Sequence, residues 1–129
     1  MRIAQEKVEA FHEKIGEYVA ERPEVGDVEA GNRRYEFMRE ELAEYRTALD
    51  RGDLVGIADA LADLQYVLLG TALHHGIQLE PVFNEVHRSN MTKTPNPGSF
   101  KNALKGPTYE PPRLTEILFI QATKLEAPV

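Results

Sequence analysis

The segment at residues 54–79, LVGIADALADLQYVLLGTALHHGIQL, constrains the fold of this chain more than any other. It is long and mostly apolar, and its pattern predicts a single helix. Its only formally charged side chains are Asp59 and Asp63. A carboxylate that loses its water without gaining a partner costs several kcal/mol. Because the segment contains no Lys or Arg, the two aspartates need a cation from elsewhere.

The composition predicts one globular domain over residues 1–129. The absence of cysteine excludes disulfides, thiolate metal sites and cysteine nucleophiles. The N-terminus lacks the apolar segment of a signal peptide. No stretch has the roughly 20 uninterrupted apolar residues of a membrane span. We therefore expect a soluble, cytoplasmic protein with no membrane partner, and the net charge of −6 argues against nucleic-acid binding.

Helical periodicity recurs along the chain, and no alternation typical of strands is present, so the predicted fold is all-α. On the central helix, five aliphatic residues share one face, and Asp59, Asp63 and Tyr66 lie on the opposite side. The short link at residues 51–53 predicts that the second and third helices are antiparallel neighbours. The Pro-rich segment at residues 93–112 is predicted to be an ordered or closing loop. Five helices are predicted, at residues 3–20, 32–50, 54–76, 81 to about 90–92, and 114–121. Asn32 is the predicted N-cap of the second helix, Gly76 is the predicted stop of the third, and the last helix is short.

The second helix carries three acids in the run EELAE: Glu40, Glu41 and Glu44. Their spacing places them on one side of the helix, where like charges repel. Antiparallel packing against Asp59 and Asp63 would gather four or five carboxylates, an oxygen donor set that suits Mg²⁺ or Mn²⁺. Two other interpretations remain open. The glutamates could be a solvated helix face, and the aspartates could pair with an arginine or line an oligomer interface.

Charge is distributed unevenly along the chain. Sixteen of the 21 acidic residues lie at or before Asp63, whereas residues 86–107 contain no acid and four cationic side chains. Such a division suits a ligand that carries both metal and phosphate, or it is ordinary surface charge balance. A di-iron bundle is not indicated because it needs Glu-x-x-His on two helices and only Glu9 and His12 have that spacing, and P-loop and nucleophile-elbow motifs are absent.

Three segments, EELAE, ADALADLQYVLLGTALHHGI and VFNEVHRSNMTK, resemble the MazG-like all-α nucleoside triphosphate pyrophosphohydrolases. That superfamily includes phosphoribosyl-ATP pyrophosphohydrolases and dimeric dUTPases. Its pattern is E-E-x-x-E, a spacer, and E-x-x-D. The EELAE glutamates match the first half and Asp63 matches the final aspartate, but Ala60 stands where the family has Glu. Asp59, four residues before Asp63, is the candidate substitute.

The resemblance, which extends from about residue 8 to residue 114, implies an antiparallel four-helix bundle that assembles as a homodimer or homotetramer. It implies Mg²⁺-dependent hydrolysis of a nucleoside triphosphate, such as dUTP or a non-canonical nucleotide, to the monophosphate and pyrophosphate. Glu41, Glu44 and Asp63 would bind the metal with Asp59 as a further candidate. Glu40 would be a ligand or, like Glu41, part of the catalytic apparatus.

The same resemblance suggests five substrate-binding residues, each with an ordinary alternative. Lys93 and Lys105 stand in the family-like SNMTK and KGPTYEPP segments, Asn90 could contact the base or sugar, and Arg88 and Tyr66 complete the set. Tyr66 could instead be core, Arg88 could pair with a surface acid, and the lysines could be solvated. Phosphoribosyl-ATP hydrolysis and a non-enzymatic interaction module with a structural cation are the competing functions.

Overall fold

A computed structural model describes residues 1–124, and residues 125–129 lie outside the described part. The chain divides into two compact units, Met1–Gln78 and Leu79–Val129. The chain is mostly helical, which confirms the predicted class. A two-stranded antiparallel ladder lies in the segment predicted to be a loop, with Thr94 opposite Leu104 and Pro95 opposite Ala103. The elements are α1 (Arg2–Ile15), α2 (Val28–Asp50), α3 (Leu54–His74), α4 (Leu79–Asn90), β1 (Thr94–Pro95), β2 (Ala103–Leu104) and α5 (Leu114–Lys124).

The first unit is built on the pair α2–α3. A Cβ added at Gly56 would lie 3.1 Å from the Cβ of Ala48, so small residues allow close approach near the link. Towards the far end of the pair, Arg34 of α2 donates a hydrogen bond to the Val67 carbonyl of α3. These two contacts join early residues of one helix to late residues of the other, which confirms the predicted antiparallel packing. Asp53 caps α3 as predicted, because its Oδ1 accepts a hydrogen bond from the Gly56 N–H at 3.0 Å.

Two helix ends near the N-terminus differ from the prediction. α1 stops at Ile15 because Gly16 adopts the left-handed conformation, with φ 72°, and its N–H bonds back to the Glu13 carbonyl. α2 begins four residues before the predicted cap, because the Asp27 carboxylate accepts a hydrogen bond from the Ala30 N–H at 3.0 Å. Asn32 therefore lies inside the helix.

The other ends are closer to prediction. α3 ends at His74, and the stop at Gly76 is confirmed: this residue has φ 68°, and an added Cβ would lie 2.1 Å from the Arg22 carbonyl oxygen. α4 starts at Leu79, so Pro81 lies in its first turn, where a missing N–H costs nothing. α5 continues to Lys124, three residues beyond its predicted end.

The aliphatic stripe of α3 lies on the surface. Leu54, Leu61 and Leu68 are 77%, 51% and 40% exposed, whereas Ala60 and Leu69 are buried. Small side chains fill the contact with the rest of the unit, which leaves the leucines outside. By length and composition α3 could cross a membrane, and only 17% of its most apolar window is buried within the chain. This face is an uncovered apolar surface in the single chain.

Candidate metal and substrate site

Three of the predicted metal ligands converge. Glu41 and Glu44 of α2 and Asp63 of α3 each offer a carboxylate oxygen, and these oxygens all lie within 4.8 Å of one another. The convergence follows from the antiparallel pairing of the two helices. Glu41 and Asp63 are half-buried and Glu44 is exposed. An all-oxygen donor set of this kind fits a hard divalent cation such as Mg²⁺ or Mn²⁺.

Glu41 shows that the cluster lacks a compensating charge. Its Oε2 is buried and has no hydrogen-bond partner in the described chain. Burial raises the pKa of Glu41, and the negative charges of Glu44, Asp63, Glu40 and Asp59 raise it further. A cation bound between the carboxylates would remove both penalties, since it replaces lost hydration and neutralises the repulsion. The residues therefore fit a metal ion.

The arginines beside EELAE do not supply that charge. Arg39 pairs with Glu36 at 2.8 Å, and Arg46 pairs with Asp50 at 3.1 Å. Both pairs lie within α2 and are exposed, so they engage acids that do not belong to the cluster. The sequence left open whether an arginine would neutralise the carboxylates, and among the described residues no such ion pair with Glu41, Glu44 or Asp63 is present.

Glu40 and Asp59 are not members of the convergent group, although both add to the negative potential at Glu41. Both are exposed at the surface of their helices. Ala60, at the position where the family pattern has Glu, is only 2% exposed. The role of Asp59 as the substitute for the family's Glu stays a prediction. Tyr66 is 40% exposed and its ring packs edge-on against Phe11, with 5.7 Å between centroids.

In the second unit, two predicted phosphate-binding lysines are brought to one place. Lys93 directly precedes Thr94 and Lys105 directly follows Leu104, the residues that pair at the end of the β1–β2 ladder. Both lysines therefore lie beside the last paired residues at one end of the ladder. Lys105 Nζ also lies 5.2 Å from the centroid of the Tyr109 ring, a cation–π contact. Two cationic side chains at the same end of the ladder form a candidate anion-binding position.

The model of the family described as phosphoribosyl-ATP pyrophosphohydrolase matches residues 8–90, nearly two thirds of the chain. The chain belongs to this family. The family is part of the MazG-like nucleoside triphosphate pyrophosphohydrolase superfamily, so the resemblance is confirmed and the protein is a hydrolase acting on phosphoric anhydrides. The matched region contains every residue of the acidic cluster and ends before Lys93 and Lys105. No curated protein sequence matches this chain.

Within this pyrophosphohydrolase, Arg88 is already engaged in ion pairs. Its guanidinium donates to Glu85 at 2.7 and 2.9 Å and to Glu110 at 3.2 Å. These bonds lower the pKa of Glu85 to about 2, chiefly through Arg88, with the Arg113 N–H as a second donor. A substrate-binding role for Arg88 stays a prediction, whereas its structural role is visible. Asn90 is exposed, and its carbonyl accepts a hydrogen bond from the Lys93 N–H.

Sequence reasoning missed two hydroxyls near the end of α4 that bond the backbone of Glu110. Ser89, which is 2% exposed, donates to the Glu110 carbonyl at 2.7 Å, and Thr92 Oγ1 accepts from the Glu110 N–H at 2.8 Å. The backbone C=O and N–H of Glu110 are thus both bonded by hydroxyls at or just after the end of α4. This clamp closes the segment that carries Lys93 and Lys105. No spacing rule in the sequence links residues 89 and 110, because the partner is backbone.

Proposed function

We propose that this protein hydrolyses the bond between the α- and β-phosphates of a nucleoside triphosphate, in a reaction that requires Mg²⁺ and gives the monophosphate and pyrophosphate. The observation that carries the proposal is the convergence of Glu41, Glu44 and Asp63 around an unpartnered carboxylate oxygen, in a chain of a pyrophosphohydrolase family. Family membership supports the reaction class. The dependence on Mg²⁺ and the triphosphate substrate are the proposal's own.

The three carboxylates would hold the cation. A bound divalent ion supplies charge neutralisation at phosphate oxygens and a lower pKa for a nearby water. Glu40 is exposed one residue from Glu41, outside the ligand group, so its carboxylate is available to accept a proton from the attacking water. Lys93 and Lys105, at one end of the β1–β2 ladder, bind the phosphates electrostatically. Asn90 and Tyr66 are the proposed nucleoside contacts.

The test is product analysis with a nucleotide panel that includes dUTP, the four canonical deoxynucleotides and oxidised nucleotides, each with Mg²⁺, Mn²⁺ or EDTA. Release of the monophosphate and pyrophosphate, and its loss in EDTA, is the expected result. Formation of a diphosphate and inorganic phosphate would place the cleavage at a different bond. Absence of turnover for every triphosphate would refute the proposed substrate class.

Phosphoribosyl-ATP is the second candidate substrate, because the matching family is described by that activity. It also contains an anhydride between the α- and β-phosphates, so the same carboxylates and lysines would serve. Side-by-side measurement of kcat/KM for phosphoribosyl-ATP and for the best triphosphate separates the two. A preference of more than about 100-fold for either one decides the assignment.

We further propose that the protein is a homodimer or homotetramer whose bundle is completed through the leucine face of α3. Leu54, Leu61 and Leu68 are spaced by seven residues and are 40–77% exposed, and Leu42 and Leu49 of α2 are also exposed. Light scattering after gel filtration should show an oligomer for the wild type. Leu61→Lys should yield monomer, and a monomeric wild type would refute this arrangement.

A further inference from the structure

The first unit contains a cavity of about 430 Å³ that the proposed chemistry does not use. It is formed by the segment after α1, the first turns of α2 and the end of α3. Its volume lies within the range of roughly 300–1,000 Å³ typical of small-molecule sites. The lining residues are Glu17, Tyr18, Glu24, Asp27, Ala30, Arg33, Arg34 and His74.

Each acid in the lining already has a partner. Glu17 pairs with Arg33, and the bond to this guanidinium lowers the pKa of Glu17. Glu24 accepts a hydrogen bond from the Tyr18 hydroxyl at 2.5 Å. Asp27 caps α2, where the helix dipole compensates its charge. Each acid of the wall is thus engaged by a hydrogen-bond donor, and Glu17 is paired with a guanidinium, which leaves one cation of the wall to be explained.

That cation is Arg34, which is 4% exposed and forms no ion pair among the described residues. Its Nη2 donates to the Val67 carbonyl at 3.0 Å and its Nε donates to Thr71 Oγ1 at 3.3 Å. Nη1 has no hydrogen-bond partner in residues 1–124. Burial lowers the pKa of Arg34, and the more distant Glu17 carboxylate counteracts this in part. Even so, a guanidinium stays protonated in proteins, so a buried positive charge faces the cavity.

Two residues near Arg34 also shape this part of the cavity. Gly70 makes room for the guanidinium, because an added Cβ would lie 2.4 Å from Arg34 Nη2. His74, which is 6% exposed, also lines the cavity, and its Nε2 has no partner in the described chain. Burial and the nearby His75 and Arg34 lower the pKa of His74, so its ring is neutral at pH 7. The wall therefore contains one guanidinium without a carboxylate partner among the described residues beside a neutral ring, since the guanidinium of Arg33 is paired with Glu17.

We propose that this cavity binds a small organic oxyanion, a carboxylate or a phosphate monoester, whose charged group sits on the free edge of Arg34. A planar guanidinium fork matches the oxygens of both groups, and charge-assisted bonds of this kind are the strong ones. The remaining volume accommodates the organic body against Tyr18 and His74. Arg34 precedes Glu41 by seven residues on α2, about 10 Å along the helix axis, so this is a second site. It does not depend on the proposed hydrolysis.

The test is isothermal titration of the full chain in EDTA, where the acidic cluster holds no metal and repels anions. The probes are succinate, glycerol 3-phosphate and inorganic phosphate. Saturable binding of succinate or glycerol 3-phosphate at one site per chain is expected, and the better of these two identifies the headgroup. Tighter binding of inorganic phosphate than of either organic acid would contradict the role of the cavity in holding an organic body.

Variants assign the binding to the cavity. Ala30→Leu fills the lining without altering the backbone cap, and it should weaken binding by at least about tenfold, as expected for exclusion of a charge-assisted contact. Ala10→Leu, on an exposed face of α1, is the matched control and should bind like the wild type. Arg34→Lys keeps the charge but removes the fork, and the same loss is expected where a thermal melt shows that it folds.

The proposal is also overturned if no probe binds the wild type saturably, or if binding is unchanged in Ala30→Leu. Lys93 and Lys105 are the other anion-binding candidates, so the double variant Lys93→Ala/Lys105→Ala is titrated in parallel. Retention of binding in this variant supports the cavity, and loss assigns the anion to the lysine pair. Failure of the nucleotide assay leaves this outcome unaffected, because no turnover is measured.

Discussion

Lys93 and Lys105 flank the same residue pair, Thr94 and Leu104, so the antiparallel ladder brings the two lysines to one of its ends. They are 12 residues apart in sequence, and five prolines between positions 95 and 112 obscure any strand pattern. Neither lysine forms an ion pair among the described residues, although Lys105 contacts the Tyr109 ring. Two cations at one end of the ladder attract an anion, which is the basis of the predicted phosphate contact.

Lys93→Ala and Lys105→Ala should each raise KM for the triphosphate by about tenfold, the loss expected for one charge-assisted contact, with a smaller effect on kcat. Steady-state kinetics at low and high salt measure this effect. The wild-type KM should rise with salt, and the double variant should be nearly salt-independent because the charges are gone. Lys101→Ala is the control, since this exposed lysine lies in the connection between the strands. An equal effect of Lys101→Ala would reduce the pair to general surface charge.

Glu41→Gln should abolish metal-dependent activity and stabilise the metal-free protein. A carboxylate whose pKa is raised by folding opposes folding once the pH exceeds its unfolded value, near 4.5. At pH 7 the amide removes this opposition, which comes first from burial and then from the neighbouring carboxylates; the relieved like-charge repulsion alone is a gain on the order of 0.5–1 kcal/mol. Urea denaturation in EDTA and in Mg²⁺ measures the stability of the metal-free and the metal-bound protein, and the nucleotide assay measures the activity. Mg²⁺ should stabilise the wild type more than the variant.

The matched control is Glu9→Gln, which removes one exposed carboxylate of α1 that is not a member of the convergent group. Its activity and its response to Mg²⁺ should equal those of the wild type. A Glu41→Gln protein that is less stable than the wild type in EDTA would contradict the unfavourable burial and the like-charge repulsion inferred for the Glu41 carboxylate.

The two aspartates of α3 should differ in their effects. Asp63→Asn removes a member of the convergent group and should lower kcat/KM by at least about 100-fold, with a weaker response to Mg²⁺. Asp59→Asn removes only a more distant charge and should cost less than about tenfold. Titrations of activity with Mg²⁺ compare the two. Equal losses would mean that Asp59 is a ligand in place of the family's Glu, as the sequence suggested.

The acidic cluster could be predicted because it depends on two regular features, helical spacing and the antiparallel pairing that the short link at residues 51–53 enforces. Helix ends were harder. The apolar Val19 continues the α1 pattern past Gly16, and only the left-handed conformation of that glycine shows the stop. The exposure of Leu54 and Leu61 was also hidden, because periodicity identifies an apolar face and not what covers it. The clamp at Glu110 depends on backbone groups, which no side-chain pattern encodes.

Glu85 should make the second unit sensitive to acid. The pKa of its carboxyl falls from 4.5 to about 2 on folding, first because Arg88 donates to it and then because of the Arg113 N–H. A depressed pKa contributes stability that is fully present above pH 4.5 and is lost as the pH falls from about 4.5 to about 2.

Glu85→Gln should therefore be less stable than the wild type at pH 7, and the difference should shrink with acidification. Hydrogen exchange of the α4 amides as a function of pH measures it. Glu116→Gln, an exposed acid of α5, is the control. A Glu85→Gln difference that is constant between pH 7 and about pH 3 would show that the ion pair does not contribute to stability.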